Sequence, residues 1–336
     1  MEVGFIQVID SVAFTDQDVE KMRPRRDMFE IEQFHKNTIC ITYRKGMPPI
    51  KEKTSDSGWG CMIRSLQMAL AQTFVTMTLG NNWKYNQQSM EIERIVYQLK
   101  SIINLFGDNP NNLFSIHRLV AKSTQRAVNE GHWWGPSFAS DIAAEHINEM
   151  HVYGTRGYVA KFGQIITTEI DKLVYDTEEE KFNPCIIFVP CRLGPDQPDP
   201  SNKELIKEIF EIPHCMGMLG GEPNLAHYFH TLHENELYFL DPHNTQSAVN
   251  MKKEWSIKSY FCKELMHMPY EKLDPSVSLV FLVKTEKDYV EFKNCFEGKK
   301  YAKLFTLKTE ADKIDVNYDD FLSIDSDFDL SLEEEK

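Results

Sequence analysis

From Cys61 to Leu79 the chain runs without a glycine or a proline, between Gly58-Trp59-Gly60 on one side and Gly80 on the other. Met62, Ile63, Leu66, Ala69, Leu70, Thr73 and Phe74 recur along it at helical spacing, so the spacing predicts one long helix that opens at Cys61. Residues 87–106 and 112–129 also read as helices, and Asp141–Met150 as a shorter one. Strand-like runs dominate later. Pro184–Val189 is rich in β-branched residues, and Ser278–Val283 is a second such run. Ala226–Leu232, a polar turn at His233–Asn235 and Glu236–Leu240 read as a hairpin. Ile39–Tyr43 is a short β-like run before a loop from Lys45 to Ser57. Helices first and a largely antiparallel sheet later predict an α+β fold rather than a doubly wound one.

The chain's 336 residues are enough for one large domain or two modest ones, and 42% hydrophobic residues suit a globular body. The formal net charge of −14 gives no general attraction to nucleic acid. No apolar run approaches the roughly 20 residues that span a bilayer. The first residues lack the basic start and apolar stretch of a signal peptide, so secretion is not expected. The seven cysteines (Cys40, Cys61, Cys185, Cys191, Cys215, Cys262 and Cys295) are widely and irregularly spaced, with no C-x-x-C pair. That predicts mostly free thiols in a reducing compartment and no zinc ribbon.

Cys61 is the cysteine best placed for chemistry. At the start of a helix, free backbone N–H groups and the positive dipole end stabilise a thiolate. A buried structural cysteine is the alternative. A thiolate nucleophile needs a base, and the base an orienting group. Asp241-Pro242-His243 follows the hairpin, and in an extended segment residues two apart face the same side, so Asp241 can hold the His243 imidazole. His227, one strand earlier, is a rival base, and spacing alone does not choose between them. His227, His230 and His233 also raise a zinc reading, weakened because their spacing puts His230 on the opposite strand face.

Six motifs in order make a specific match. They are Tyr43-Arg44-Lys45 with Gly58-Trp59-Gly60-Cys61-Met62-Ile63-Arg64, then Gly131-His132-Trp133-Trp134-Gly135-Pro136, then Val189-Pro190-Cys191-Arg192-Leu193-Gly194. Gly220-Gly221-Glu222-Pro223-Asn224, Ala226-His227-Tyr228-Phe229 and Leu240-Asp241-Pro242-His243-Asn244-Thr245-Gln246 follow. Together they resemble the autophagins, the cysteine proteases that process a ubiquitin-like modifier of autophagy. The resemblance implies a papain-like fold with a small accessory subdomain, with Cys61 as nucleophile, His243 as base and Asp241 as its orienter. It makes His227 a structural or supporting residue and Tyr43 an oxyanion-hole donor. It implies that Trp133 walls a narrow glycine channel. Gly217–Leu225, including Gly220, Gly221 and Pro223, resembles the family's regulatory loop over the cleft. No cofactor or metal is implied. The implied substrate is the modifier, cut after a C-terminal glycine both as a precursor and as its phosphatidylethanolamine conjugate. A deubiquitinase-type isopeptidase and an inactive modifier-binding adaptor are the alternative readings. The enzyme is expected in the cytoplasm, meeting membrane only through its lipidated substrate.

The expected layout is an N-terminal segment over 1–35, a catalytic domain over 36–309 and a disordered acidic tail over 310–336. The tail holds eleven acidic and two basic residues, so its charge is 2 − 11 = −9 and the rest of the chain carries only −5. Within it, Phe321-Leu322-Ser323-Ile324 has two apolar anchors behind Asp319 and Asp320, the form of a segment that adds a strand to a sheet edge. Phe5-Ile6-Gln7-Val8 is a weaker candidate.

Overall fold

The computed structural model describes residues 27–80 and 92–311. At its centre is a seven-stranded sheet. In chain order its strands are β1 (Arg156–Val159), β2 (Cys185–Arg192), β3 (Cys215–Glu222), β4 (Leu225–His233), β5 (Glu236–Leu240), β6 (Met266–Pro269) and β7 (Ser276–Val283). The spatial order is β6-β5-β4-β3-β7-β2-β1, antiparallel throughout except where β1 joins β2. Side chains alternate across it. In β2, Ile186 and Phe188 enter one core while Cys185, Ile187 and Val189 enter the other. Apolar residues fill both faces because helices cover both.

Helix α1 (Met28–Asn37) lies against β5, held at its start by the Asp27 carboxylate accepting from Glu30 N–H. Helices α2 (Cys61–Leu79), α3 (Ile92–Leu105), α4 (Ile116–Thr124) and α5 (Pro136–Met150) supply the first core. Helices α6 (Thr167–Val174), α7 (Lys203–Glu211) and α8 (Glu286–Phe296) supply the second. Every residue of α2 from Cys61 to Met77 is buried, polar ones such as Arg64 and Gln67 included, so the helix is surrounded by protein. It packs on β3 and β4, so its first residue is delivered to the sheet. The class is α+β, as expected.

Several local expectations are corrected. Ile39–Tyr43 is irregular, with a single bridge from Ile39 to Phe261, and the strand is instead Arg44–Ile50, all but its first residue within the expected loop. That strand pairs antiparallel with Lys53–Ser55 and parallel with Gln246–Ser247. Helix α5 starts at Pro136, five residues before the expected Asp141, because proline suits the first helical position. The expected loop at Gly217–Leu225 is strand β3 running to Glu222, a two-residue turn at Pro223-Asn224, and the start of β4. Helix α1 begins within the segment 1–35 expected to stand apart, and buries Ile31 and His35. Cys40 and Cys262 are joined by a disulfide, against the expectation for those two, while Cys61, Cys185 and Cys191 stand outside any disulfide. Among those, burial pushes the Cys185 and Cys191 thiols well above the ordinary range, which disfavours redox chemistry there. Phe321 and Ile324, like Phe5–Val8, lie outside the described residues. No helix among the described residues is long and apolar enough to cross a membrane.

Candidate active site

Three stretches of chain meet at the start of α2. The first is the turn 56–61. Asp56 C=O accepts from the N–H groups of both Trp59 and Gly60, at 3.2 and 2.9 Å. A Cβ on Gly60 would stand 2.8 Å from the Asp56 Cβ, so only glycine lets the turn close. Gly60 caps α2 without a side-chain hydrogen bond, and no acidic residue occupies the first turn. The positive end of the helix therefore stays directed at Cys61.

The second stretch carries Tyr43 and the third carries Asp241 and His243. They are stitched together by backbone. Tyr43 N–H donates to Pro242 C=O at 2.8 Å, and Gln246 N–H donates to Tyr43 C=O at 2.9 Å. The Gln246 side-chain amide then donates to Thr42 Oγ1 and to Ser259 C=O. Asp241 precedes a proline and so stays extended. One of its oxygens accepts from both His243 N–H, at 3.0 Å, and His243 Nδ1, at 2.5 Å.

The electrostatics follow from these contacts. Burial acts to raise the Cys61 thiol, but its contacts with His243, Ala226 N–H and Tyr43, and the His243 charge, carry it below its ordinary value. Burial acts to lower His243, yet Asp241 and Cys61 hold it up at about 9. Asp241 is buried enough to favour protonation, but its bonds to His243 keep it below the usual carboxylate range. The set thus favours a thiolate–imidazolium pair over two neutral groups. The Tyr43 hydroxyl lies against Cys61 and Gly58, and burial followed by the nearby Cys61 raises it, so it stays a protonated donor. Its ring meets the His243 ring edge-on at 5.4 Å.

Of the residues singled out beforehand, Tyr43, Cys61, Asp241 and His243 are brought together. His227 adjoins them, its Nδ1 3.7 Å from Asp241 Oδ1 and its ring 4.1 Å from the Phe239 ring. Burial lowers its pKa to about 4, so it is neutral where His243 is charged. The zinc set imagined from His227, His230 and His233 does not form. His230 points instead to His35, 3.3 Å away. Gly220 and Gly221 pair with His227 and Ala226 across the hairpin. A Cβ on Gly221 would stand 1.9 Å from Leu225 C=O, so the strand can turn there only as glycine. The Pro223-Asn224 turn uses Asn224 at a positive φ of 64°. Trp133 is 45% exposed just before α5, whereas Trp134 is buried in the core.

Sequence reasoning missed the charged network beneath the site. Arg64, one turn into α2, is fully buried and donates to Asp56 at 2.6 Å, Asp108 at 2.8 Å and Gln67 at 3.0 Å. Asp56 also accepts from Arg44 N–H at 2.7 Å, joining the stretch that carries Tyr43 to the Cys61 turn. Arg44 and Arg64 stood in the motifs, but nothing in their spacing announced partners at 56 and 108.

A family model described as the peptidase C54 catalytic domain matches residues 28–295. Cysteine protease ATG4b of Arabidopsis thaliana is 30% identical over 304 residues, covering 82% of this chain and 62% of that protein. Cysteine protease ATG4A of Mus musculus is 30% identical over 279 residues, covering 75% of this chain and 69% of that protein. A relative from Sclerotinia sclerotiorum, named "Probable cysteine protease atg4", is 30% identical over 247 residues, which are 71% of this chain and 55% of that protein. The chain thus spans between about half and two thirds of the length of several relatives it matches.

Proposed function

The chain belongs to the peptidase C54 family, and from that premise we propose that it is a cysteine peptidase cutting after the C-terminal glycine of a ubiquitin-like autophagy modifier. The observation that carries the reading is the buried Cys61 thiol held below its ordinary pKa by His243, itself fixed by Asp241. The Cys61 thiolate attacks the glycine carbonyl. The developing oxyanion is met by the Tyr43 hydroxyl and the Cys61 N–H. His243 gives its proton to the leaving amine, which is either the first residue of a C-terminal extension or the ethanolamine nitrogen of phosphatidylethanolamine. Water, deprotonated by the same histidine, then hydrolyses the thioester. One acyl-enzyme serves both reactions. Trp133 and the β3–β4 hairpin would border the glycine channel.

The decisive assay offers the protein three substrates. They are a modifier with a C-terminal extension, the same modifier conjugated to phosphatidylethanolamine on vesicles, and a ubiquitin C-terminal probe. Cleavage of the first two only is the expected result. Preference for ubiquitin would favour the isopeptidase reading, and binding without cleavage the adaptor reading. Tyr43→Phe is expected to lower kcat about 10²-fold with KM little changed, as loss of one oxyanion donor does. An unchanged kcat would remove Tyr43 from the mechanism.

The acidic tail fits a docking arm. Replacing Phe321 and Ile324 together with alanine is expected to weaken modifier binding roughly tenfold, the scale of losing apolar anchors. Equal affinity by titration calorimetry would dismiss the motif. We place the enzyme in the cytoplasm, reaching membrane through its lipidated substrate. The Cys40–Cys262 bridge runs against a reducing compartment.

A further inference from the structure

His227 is 7% exposed at its side chain, and its Nδ1 is buried with no hydrogen-bond partner. Such an orphaned polar atom costs free energy unless something binds it. What it faces is Asp241 Oδ1, 3.7 Å away, and Asp241 is in turn bonded to His243 Nδ1. One ligand atom from each of His227, Asp241 and His243 falls within 4.8 Å of the other two. Two imidazoles and a carboxylate form a donor set that zinc takes with water in the fourth position. Zinc's bonds to such atoms are about 2.0–2.2 Å, which sets neighbouring ligand atoms roughly 3.3 Å apart in a tetrahedron. The spacing here straddles that value.

We propose that His227, Asp241 and His243 form a site for a zinc-like divalent cation, and that the bound cation switches the peptidase off. The site itself stands on geometry; only the inhibition rests on the function proposed above. The cation takes the place of the proton on His243 Nδ1, which leaves to solvent. The imidazole's remaining proton then sits on Nε2, the nitrogen turned to Cys61. A ring protonated there and metallated on the other side has no lone pair with which to accept a proton. Asp241 is drawn off at the same time, so the base loses its orienter. Hard cations such as magnesium prefer all-oxygen shells and are not taken.

The test uses the full chain in a non-thiol reductant, titrated with Zn2+ against a chromophoric chelator. One Zn2+ per chain is expected, with equal affinity in Cys61→Ser, no competition from Mg2+, and at least tenfold weaker binding in His227→Asn and His227→Leu. Wild-type affinity in both His227 variants, or loss of binding in Cys61→Ser, overturns the site. X-ray absorption on zinc-loaded wild type gives a readout free of mutation. Two imidazoles with oxygen support the proposal, and sulfur in the shell overturns it. Inhibition of modifier cleavage by Zn2+, reversed by chelator, is then expected, and zinc-bound chain that cleaves at full rate refutes the switch. If metal-free wild type cleaves nothing, the peptidase reading fails while the binding result stands.

Discussion

Cys61→Ala is expected to lower kcat by about 10⁶-fold on the extended modifier, the scale seen when a nucleophile is removed from a catalytic set. The same loss is expected on the lipid conjugate, because the proposed mechanism sends both reactions through one acyl-enzyme. His243 and Asp241 remain in the variant, but a base with nothing to activate contributes little. What survives is the help given by oxyanion donors and binding, about 10³-fold over water. Modifier affinity should be retained, since Cys61 is 1% exposed and losing one sulfur from that site changes no surface. Cleavage by the alanine variant near the wild-type rate would sink the mechanism. Unequal losses on the two substrates would sink the shared intermediate.

The parts of the fold that were legible in the sequence are those whose pattern is local. The helix from Cys61 to Leu79 was bounded by glycines and appears with those limits. Strand Glu236–Leu240 and the Asp241-Pro242-His243 step were likewise written in adjacent residues. Strand β3 was not. Its sequence, with three glycines, resembles a loop, since glycine is a poor strand former. Pairing with β4 on one side and β7 on the other overrides that preference. Ile39–Tyr43 shows the reverse case. Its side chains suit a strand, but Tyr43 spends its N–H on Pro242, across the site, instead of on a neighbouring strand. The choice of His243 over His227 came from the family resemblance; in the structure the Nδ1 of His243 lies 2.5 Å from Asp241 Oδ1 and that of His227 3.7 Å. Contacts between residues far apart in the chain, such as Arg64 with Asp108, leave no periodic trace.

Arg64→Met is expected to destabilise the fold by about 3–5 kcal/mol, the usual result of removing one partner from a buried ion set. Methionine fills most of the volume, so the loss is electrostatic and not a cavity. Arg64, Arg44, Asp56 and Asp108 balance two positive charges against two negative ones. Without Arg64, two carboxylates share one guanidinium, and Arg44 already donates to Ser247 C=O and Ser259 C=O and lies 4.5 Å over the Tyr260 ring. Arg44 cannot turn to replace the fork that Arg64 presents. Adding Asp108→Asn to Arg64→Met restores charge balance, so the double variant should recover part of the loss in chemical denaturation. Arg64→Lys should fall between, keeping the charge but not its three directed bonds. A single Arg64→Met variant within 1 kcal/mol of wild type would show that the network carries no net stability. The same variant reaches function through Asp56. That residue holds Arg44 by its carboxylate and the Trp59-Gly60 turn by its carbonyl. It therefore sets the separation of Tyr43 from Cys61. Variants that remain folded should accordingly lose kcat at unchanged KM, since a donor displaced by an ångström fails the transition state more than the bound substrate.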